Sequence, residues 1–239
     1  MNEVDRARLE AWGRANRETL RQRIRVIQLL DAAERAGITP IPARRLHAYA
    51  YLADVLSPVW DLQPFDGKVL KVKHGPHYPD LQREIDRLVV MGLLRVSRLK
   101  YVSRTKSGPL VDADYTLNFE SSYLEPILSA IGARSSDQAL DFRDSEIHTF
   151  LVELACAIAT VPDDQIDSAA SVDATYADER IDFSSVVDFG DWSSNVLQDN
   201  LSLAVTERFH RFLPGREQLS AAEKLYLYAS FLGRRMNGA

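Results

Sequence analysis

The stretch Tyr51-Leu52-Ala53-Asp54, then Lys73-His74-Gly75-Pro76, then Leu81-Gln82-Arg83-Glu84-Ile85-Asp86-Arg87-Leu88 running to Met91-Gly92-Leu93-Leu94, decides how this chain is read. Pro76 fixes its own φ and biases Gly75 away from the α region, so the spacing predicts a turn between a strand and a helix. Tyr78-Pro79 starts that helix. Leu81, Ile85, Leu88 and Leu93 give it an apolar stripe, and Gly92 is placed to end it in a left-handed cap. Before it, a helix is predicted over Ala43 to Leu56, with Leu46, Tyr49, Leu52, Ala53 and Leu56 on its inner side. Ser57-Pro58 ends or kinks that helix, and Lys68 to Lys73 reads as a short strand. After it, Leu94 to Ser103 and Asp112 to Phe119 lean towards β structure on either side of Arg104-Thr105-Lys106-Ser107-Gly108-Pro109, a hairpin with a basic tip. Helix, helix, strand, helix and hairpin is the order of a winged helix-turn-helix, with the hairpin as the wing.

The flanking sequence completes the plan. Residues 3 to 36 are rich in Arg, Glu, Ala and Leu without proline, which predicts one long helix or two meeting near Gly13 to Asn16. Ile24, Ile27, Leu30 and Ala33 make its second part amphipathic, while the first part, with Leu9 and Trp12, is too polar to bury fully and reads as a partner-binding arm. Beyond the hairpin, helices are predicted from Ser121 or Ser122 to Ile131 and from Asp144 or Ser145 to Thr160. Two more follow, Asn195 to Phe212 and Ser220 to Met236, separated by Pro214-Gly215. Between them, Pro162 to Ser194 is polar and acidic and reads as a long functional or mobile loop. The expected fold class is therefore α+β, mostly α, a winged helix-turn-helix core with a helical C-terminal region. Its expected organisation is a helical arm over 1–36, a winged-helix-like domain over 37–120, and a helical region over 121–239 with an acidic loop at 162–194.

Charge is unevenly spread. Up to Lys106 the chain carries 20 Lys and Arg against 12 Asp and Glu, and beyond it 9 against 22, within a net charge of −5. Such a gradient speaks about partners rather than fold: the basic part suits nucleic acid or an acidic protein, and the acidic part is repelled by phosphate. Pairing of basic end with acidic end between two copies is an equally plain reading. A single cysteine excludes an internal disulfide, and Cys156, between apolar neighbours on a helix, reads as a small core residue. The run Leu151 to Val161 is broken by Glu153 and too short for a bilayer, and the first residues lack an apolar signal core, so a cytoplasmic protein without membrane contact is expected.

No catalytic signature emerges, and neither a cofactor nor a metal is expected. His74 and His77 flank the Gly75-Pro76 turn and share no helical face. Asp188-Phe189-Gly190 matches the kinase magnesium triplet by letters alone, without the glycine-rich and catalytic-loop motifs that give it meaning. Binding is the livelier chemistry. Arg95, Arg98, Lys100, Arg104 and Lys106 gather on the wing, with Arg83 and Arg87 on the exposed side of the preceding helix, where a duplex would bring phosphates. Asp80, Glu84 and Asp86 on that helix sit badly against a charged groove, so a solvated face touching a protein is the competing reading. Trp12, Asp178, Asp188 and Trp192 are the expected partner contacts.

Taken together, Tyr51-Leu52-Ala53-Asp54, Lys73-His74-Gly75-Pro76 and a helix ending Leu88-Val89-Val90-Met91-Gly92-Leu93-Leu94 resemble the Panacea (SocA-like) antitoxin domain. The pattern is also similar to the small middle components of bacterial ABC-three-component defence cassettes, including Lamassu-type systems. The resemblance covers roughly residues 24 to 120, and the long acidic half beyond favours the second family. It implies a non-catalytic accessory subunit of an anti-phage complex, an adaptor between an SMC-like or AAA ATPase and an effector, with double-stranded DNA left open as a further partner. The alternatives are a winged-helix DNA-binding regulator or Panacea-like antitoxin, and an unrecognised metal-dependent hydrolase.

Overall fold

A computed structural model describes residues 3–65, 68–73, 75–104, 108–135, 137, 139, 141–189, 200–212 and 219–237, with side chains from Arg17 onwards except those of residues 18, 101–104, 108–111, 163, 164 and 167. Glu3–Arg35 form one continuous helix, α1, which resolves the choice between one helix and two. No proline interrupts the run, and its residues are mostly strong helix formers. From Arg25 to Ala33 it is buried on every side. Ile41–Pro42 then make a short strand, β1, and Ala43–Leu56 make helix α2, with the bounds that the sequence predicts.

Helix α2 is the axis of the molecule. Apolar spacing predicts one inner face, yet every residue from Arg45 to Leu56 is buried. A helix enclosed all round carries its polar groups inside, where each must find a partner or forfeit its hydration. Tyr49 Oη donates to the carbonyl of Leu151 at 2.5 Å. His47 accepts the backbone N–H of Tyr78 at Nδ1, 3.2 Å away, which leaves Nε2 to donate to Gln82 Oε1 at 3.1 Å. Asp54 receives Arg25 Nη2 at 3.2 Å, Tyr78 Oη at 2.6 Å and the Phe65 N–H at 2.9 Å. Tyr51 Oη donates to Asp173 at 2.6 Å.

Two antiparallel sheets flank this helix. Lys68–Val72 (β2) and Gly75–His77 (β3) form a hairpin, so the Gly75-Pro76 pair expected to turn between strand and helix is itself extended. The proline fits because β3 is an edge strand of the order β3-β2-β6, where its missing N–H breaks no ladder; Gly75 supplies a φ of +113°. Pro79–Val90 form helix α3, after which Leu94–Arg104 (β4) and Gly108–Leu117 (β5) make a long hairpin in a sheet of order β1-β5-β4.

The chain continues through helices α4 (Leu124–Ala130), α5 (Phe142–Ile158) and α6 (Asp163–Ala169), strand β6 (Val186–Asp188), and helices α7 (Leu201–Arg208) and α8 (Ala221–Asn237). The fold is thus α+β and mostly helical. Residues 163–188 hold a helix and a strand where a loop is expected, because the acidic side chains alternate with residues that the core takes in. Val187 and Phe189 are buried, Asp173 is wholly buried, and β6 pairs with β2 with Val187 opposite Val69. Asp173 is the knot of that region: Tyr51, Ser202 and Tyr228 hydroxyls and the N–H groups of Thr175 and Tyr176 all donate to it. Five donors saturate the carboxylate and tie α2, α7 and α8 to one point. Among the described residues, no helix is long and apolar enough to cross a membrane.

Candidate interaction surface

The end of α3 and the root of the hairpin are built as one unit. Met91 N–H closes the helix onto the Arg87 carbonyl at 2.9 Å, and Gly92, at a φ of +71°, turns the chain into β4. Asn118, just past β5, donates its N–H to the Leu93 carbonyl at 2.9 Å and its side-chain Nδ2 to the Gly92 carbonyl at 2.8 Å. The turn after it is locked by Ser121 N–H on the Asn118 carbonyl and Leu124 N–H on the Ser121 carbonyl. This bonding brings the end of α3 to the end of β5, and the exposed Val90, Met91, Phe119 and Tyr123 all lie within a few residues of that junction along the chain. Their exposures are 88%, 54%, 53% and 73%. Large apolar side chains left to water near one junction are the kind of surface that marks contact with another molecule.

The predicted phosphate-binding residues lie around this junction, and most are already engaged. Arg83 pairs with Asp80 at 2.7 Å, Arg87 with Glu84, Arg95 with Glu120 and Arg98 with Asp114. Glu84, which the sequence placed on an exposed helix, is buried and also takes Arg23 of α1 at 2.7 Å. It fastens α3 to the long helix. Hydrogen bonding and charge from Arg95 hold the Glu120 carboxyl below the usual range. Lys100 is exposed and has no carboxylate within ion-pair distance among the described residues. The side chain of Arg104 and the whole of Lys106 lie outside the described residues.

Of the expected partner contacts, the side chain of Trp12 and all of Trp192 also lie outside the described residues. Asp188 lies on β6, on the opposite side of β2 from β3. Arg180 holds Asp178 at 2.7 Å, and its hydrogen bonds keep that carboxyl below the usual range; the Asp178 carbonyl accepts from the buried Lys71 Nζ at 2.7 Å. Asp188 meets Lys68 at 3.2 Å across β6 and β2. These acids fasten the segment to the sheet, and the structure does not bring them together with the hairpin arginines.

One feature escapes a sequence reading. Arg44 reaches the hairpin only because Pro42 pairs with Asp114, a long-range register that no local pattern announces. Val90 falls off the Leu81, Ile85, Leu88 stripe and faces water. Among the described residues, no three His, Cys, Asp or Glu side chains are grouped to hold a metal ion. His74 lies outside the described residues, and His77 packs its ring 4.9 Å from that of His47. Cys156 is half-buried on α5, and burial pushes its thiol up. A cavity of about 450 Å³ between α1, residues 61–65 and the start of α5 has a mixed lining that includes Arg21, Arg143, Asp141 and Asp144. No protein-family model, no curated protein and no solved structure matches this chain.

Proposed function

We propose that this protein is a non-catalytic accessory subunit that works by occupying the surfaces of partner proteins. The observation that carries the reading is the exposure of Val90, Met91, Phe119 and Tyr123 near the junction of α3 and the hairpin, where the charges of Arg87 and Arg95 are met by Glu84 and Glu120. A patch with a neutralised rim favours burial against protein, since desolvating already paired charges is less costly than desolvating free ones. The order α1-β1-α2-α3-β4-β5, with strands arranged β1-β5-β4, supports reading the core as a winged helix whose wing is the β4–β5 hairpin and which carries β2–β3 as an insertion between its second and third helices. The resemblance of the Tyr51-to-Leu94 stretch adds the setting: a bacterial anti-phage complex in which the chain stands between an SMC-like or AAA ATPase and an effector.

Co-expression with the products of neighbouring genes, followed by affinity purification, tests this. A stable complex is expected, and Val90→Glu with Met91→Glu should release the partner while leaving the melting temperature unchanged, since both side chains face water. A lone monomer in the presence of all neighbours sinks the reading. A second reading, a winged-helix DNA-binding regulator or Panacea-like antitoxin, draws on one observation, the exposed Lys100 on the hairpin beside Arg44.

A further inference from the structure

A cleft of about 240 Å³ opens at the side of the hairpin, lined by Pro42, Arg44, Arg98, Lys100, Asp112 and Asp114. Three separate features of the chain converge on it. Pro42 of β1 pairs with Asp114 of β5, and this register sets Arg44, in the first turn of α2, beside the hairpin. That turn contains no acidic residue. The β4–β5 ladder then slips: Ser97 faces Asp114 but Lys100 faces Asp112, so Arg98 and Leu99 together stand opposite Ala113. At this bulge Arg98 takes a φ of +48°, a left-handed conformation that an L side chain adopts at a cost, and its guanidinium is held by the buried carboxylate of Asp114. Bulges re-aim side chains, and this one delivers Lys100 to the same cleft as Arg44.

The electrostatic balance is uneven. Asp114 is answered by Arg98. Asp112 faces the two remaining cations, Arg44 and Lys100, both exposed, and among the described residues neither meets a carboxylate within ion-pair distance. One positive charge stays in excess in a concave site whose charged heads reach solvent. Arginine offers forked donors suited to an oxyanion with several acceptor oxygens, and lysine adds a compact charge that needs no fixed geometry. We propose that this cleft binds a phosphate group, with Arg44 and Lys100 as its direct ligands. Arg98, anchored on Asp114, is the positioning residue that fixes the bulge. Asp112 tunes the affinity downward.

The phosphate can come from a nucleic-acid backbone or from a free phosphate. The proposal deepens the DNA-binding reading and is independent of the adaptor reading, whose test residues Val90 and Met91 lie where α3 ends. With the full chain, anisotropy of a labelled random-sequence duplex across a salt series and calorimetry with inorganic phosphate separate the sources. Arg44→Ala and Lys100→Ala are each expected to weaken binding several-fold and to reduce the salt slope of duplex binding by about 1, with melting unchanged. Asp112→Asn is expected to strengthen binding of whichever probe is held. Inorganic phosphate bound without duplex keeps the cleft and removes the regulator. Failure of both probes to bind, or binding indifferent to all three substitutions, overturns the proposal, as does an acidic peptide bound through Arg44 and Lys100 when neither phosphate probe is.

Discussion

Asp54 holds a carboxylate where no water reaches, and burial pushes its pKa up against the pull of Arg25 and of hydrogen bonds from Tyr78 and Phe65. Removing it takes from the buried Arg25 guanidinium the carboxylate that it hydrogen-bonds. Asp54→Ala is therefore expected to cost about 3–5 kcal/mol in urea unfolding, far more than loss of the side chain's packing. His47 makes a second, pH-dependent contribution. Burial drives its pKa down to about 4, a direction that the charges of His77 and Arg25 reinforce and the Gln82 hydrogen bond opposes. Between pH 6.5 and about 4 the unfolded chain binds a proton that the folded chain refuses, so stability rises with pH through that window. About 3 kcal/mol is at stake, and unfolding curves at a series of pH values should lose most of this slope in His47→Asn. Asp31 acts lower on the scale. Burial opposes its ionisation, but hydrogen bonds from His148 and Arg35, with the charge of Arg35, bring it down to about 2. Its contribution is present above pH 3.8 and is lost as pH falls through about 2.

At the scale of elements, α2 and α3 illustrate two ways in which a helix is specified. Helix α3 is legible because one face is wet: Leu81, Ile85 and Leu88 are buried, Val90 and Met91 are not, and Gly92 ends the helix in the left-handed region that the letters announce. A Cβ added to Gly92 meets nothing within 4 Å, so Gly92→Ala tests the backbone alone, and a loss of about 1 kcal/mol is expected by denaturant titration. The bounds of α2 were equally readable, but its surroundings were not. Tyr49, Tyr51 and Asp54 carry polar atoms that a single-sided helix leaves in water, and only the arrival of Leu151, Asp173, Arg25 and Tyr78 lets the core close around them. The Gly75-Pro76 pair misled for a related reason. Proline forbids a central strand but not an edge strand, and whether β3 is an edge depends on β6, more than a hundred residues further on.

Over the whole molecule, the N-terminal and C-terminal parts are stitched together by polar bonds rather than set side by side. Asp173 gathers hydroxyls from α2, α7 and α8, Lys71 Nζ donates to the Ile181 carbonyl at 2.7 Å, and β6 completes the sheet begun by β2. A chain ended after Phe119 keeps the hairpin and α3 but strips Tyr49 and Tyr51 of their acceptors. It is expected to lack a cooperative melting transition and to be cut rapidly by protease. The charge gradient has a local outlet in the same seam. Lys68 and Asp188 join the basic and acidic parts within one sheet, so part of the imbalance that suggested external partners is met within the chain, at its surface.

The succession of the longer helices, the β4–β5 hairpin, the α+β class and the left-handed stop at Gly92 are all written in local letters. Each of these rests on spacing or on a residue's own φ preference, both local. The enclosure of α2 on all sides, the helix and strand within the acidic stretch after Pro162, and the cleft that Arg44 shares with Lys100 all depend on distant parts of the chain meeting. A buried polar atom is defined by its partner and a strand by its neighbour, and Asp173 for Tyr51, Arg25 for Asp54 and the β5 register for β1 lie at separations that no periodicity reaches.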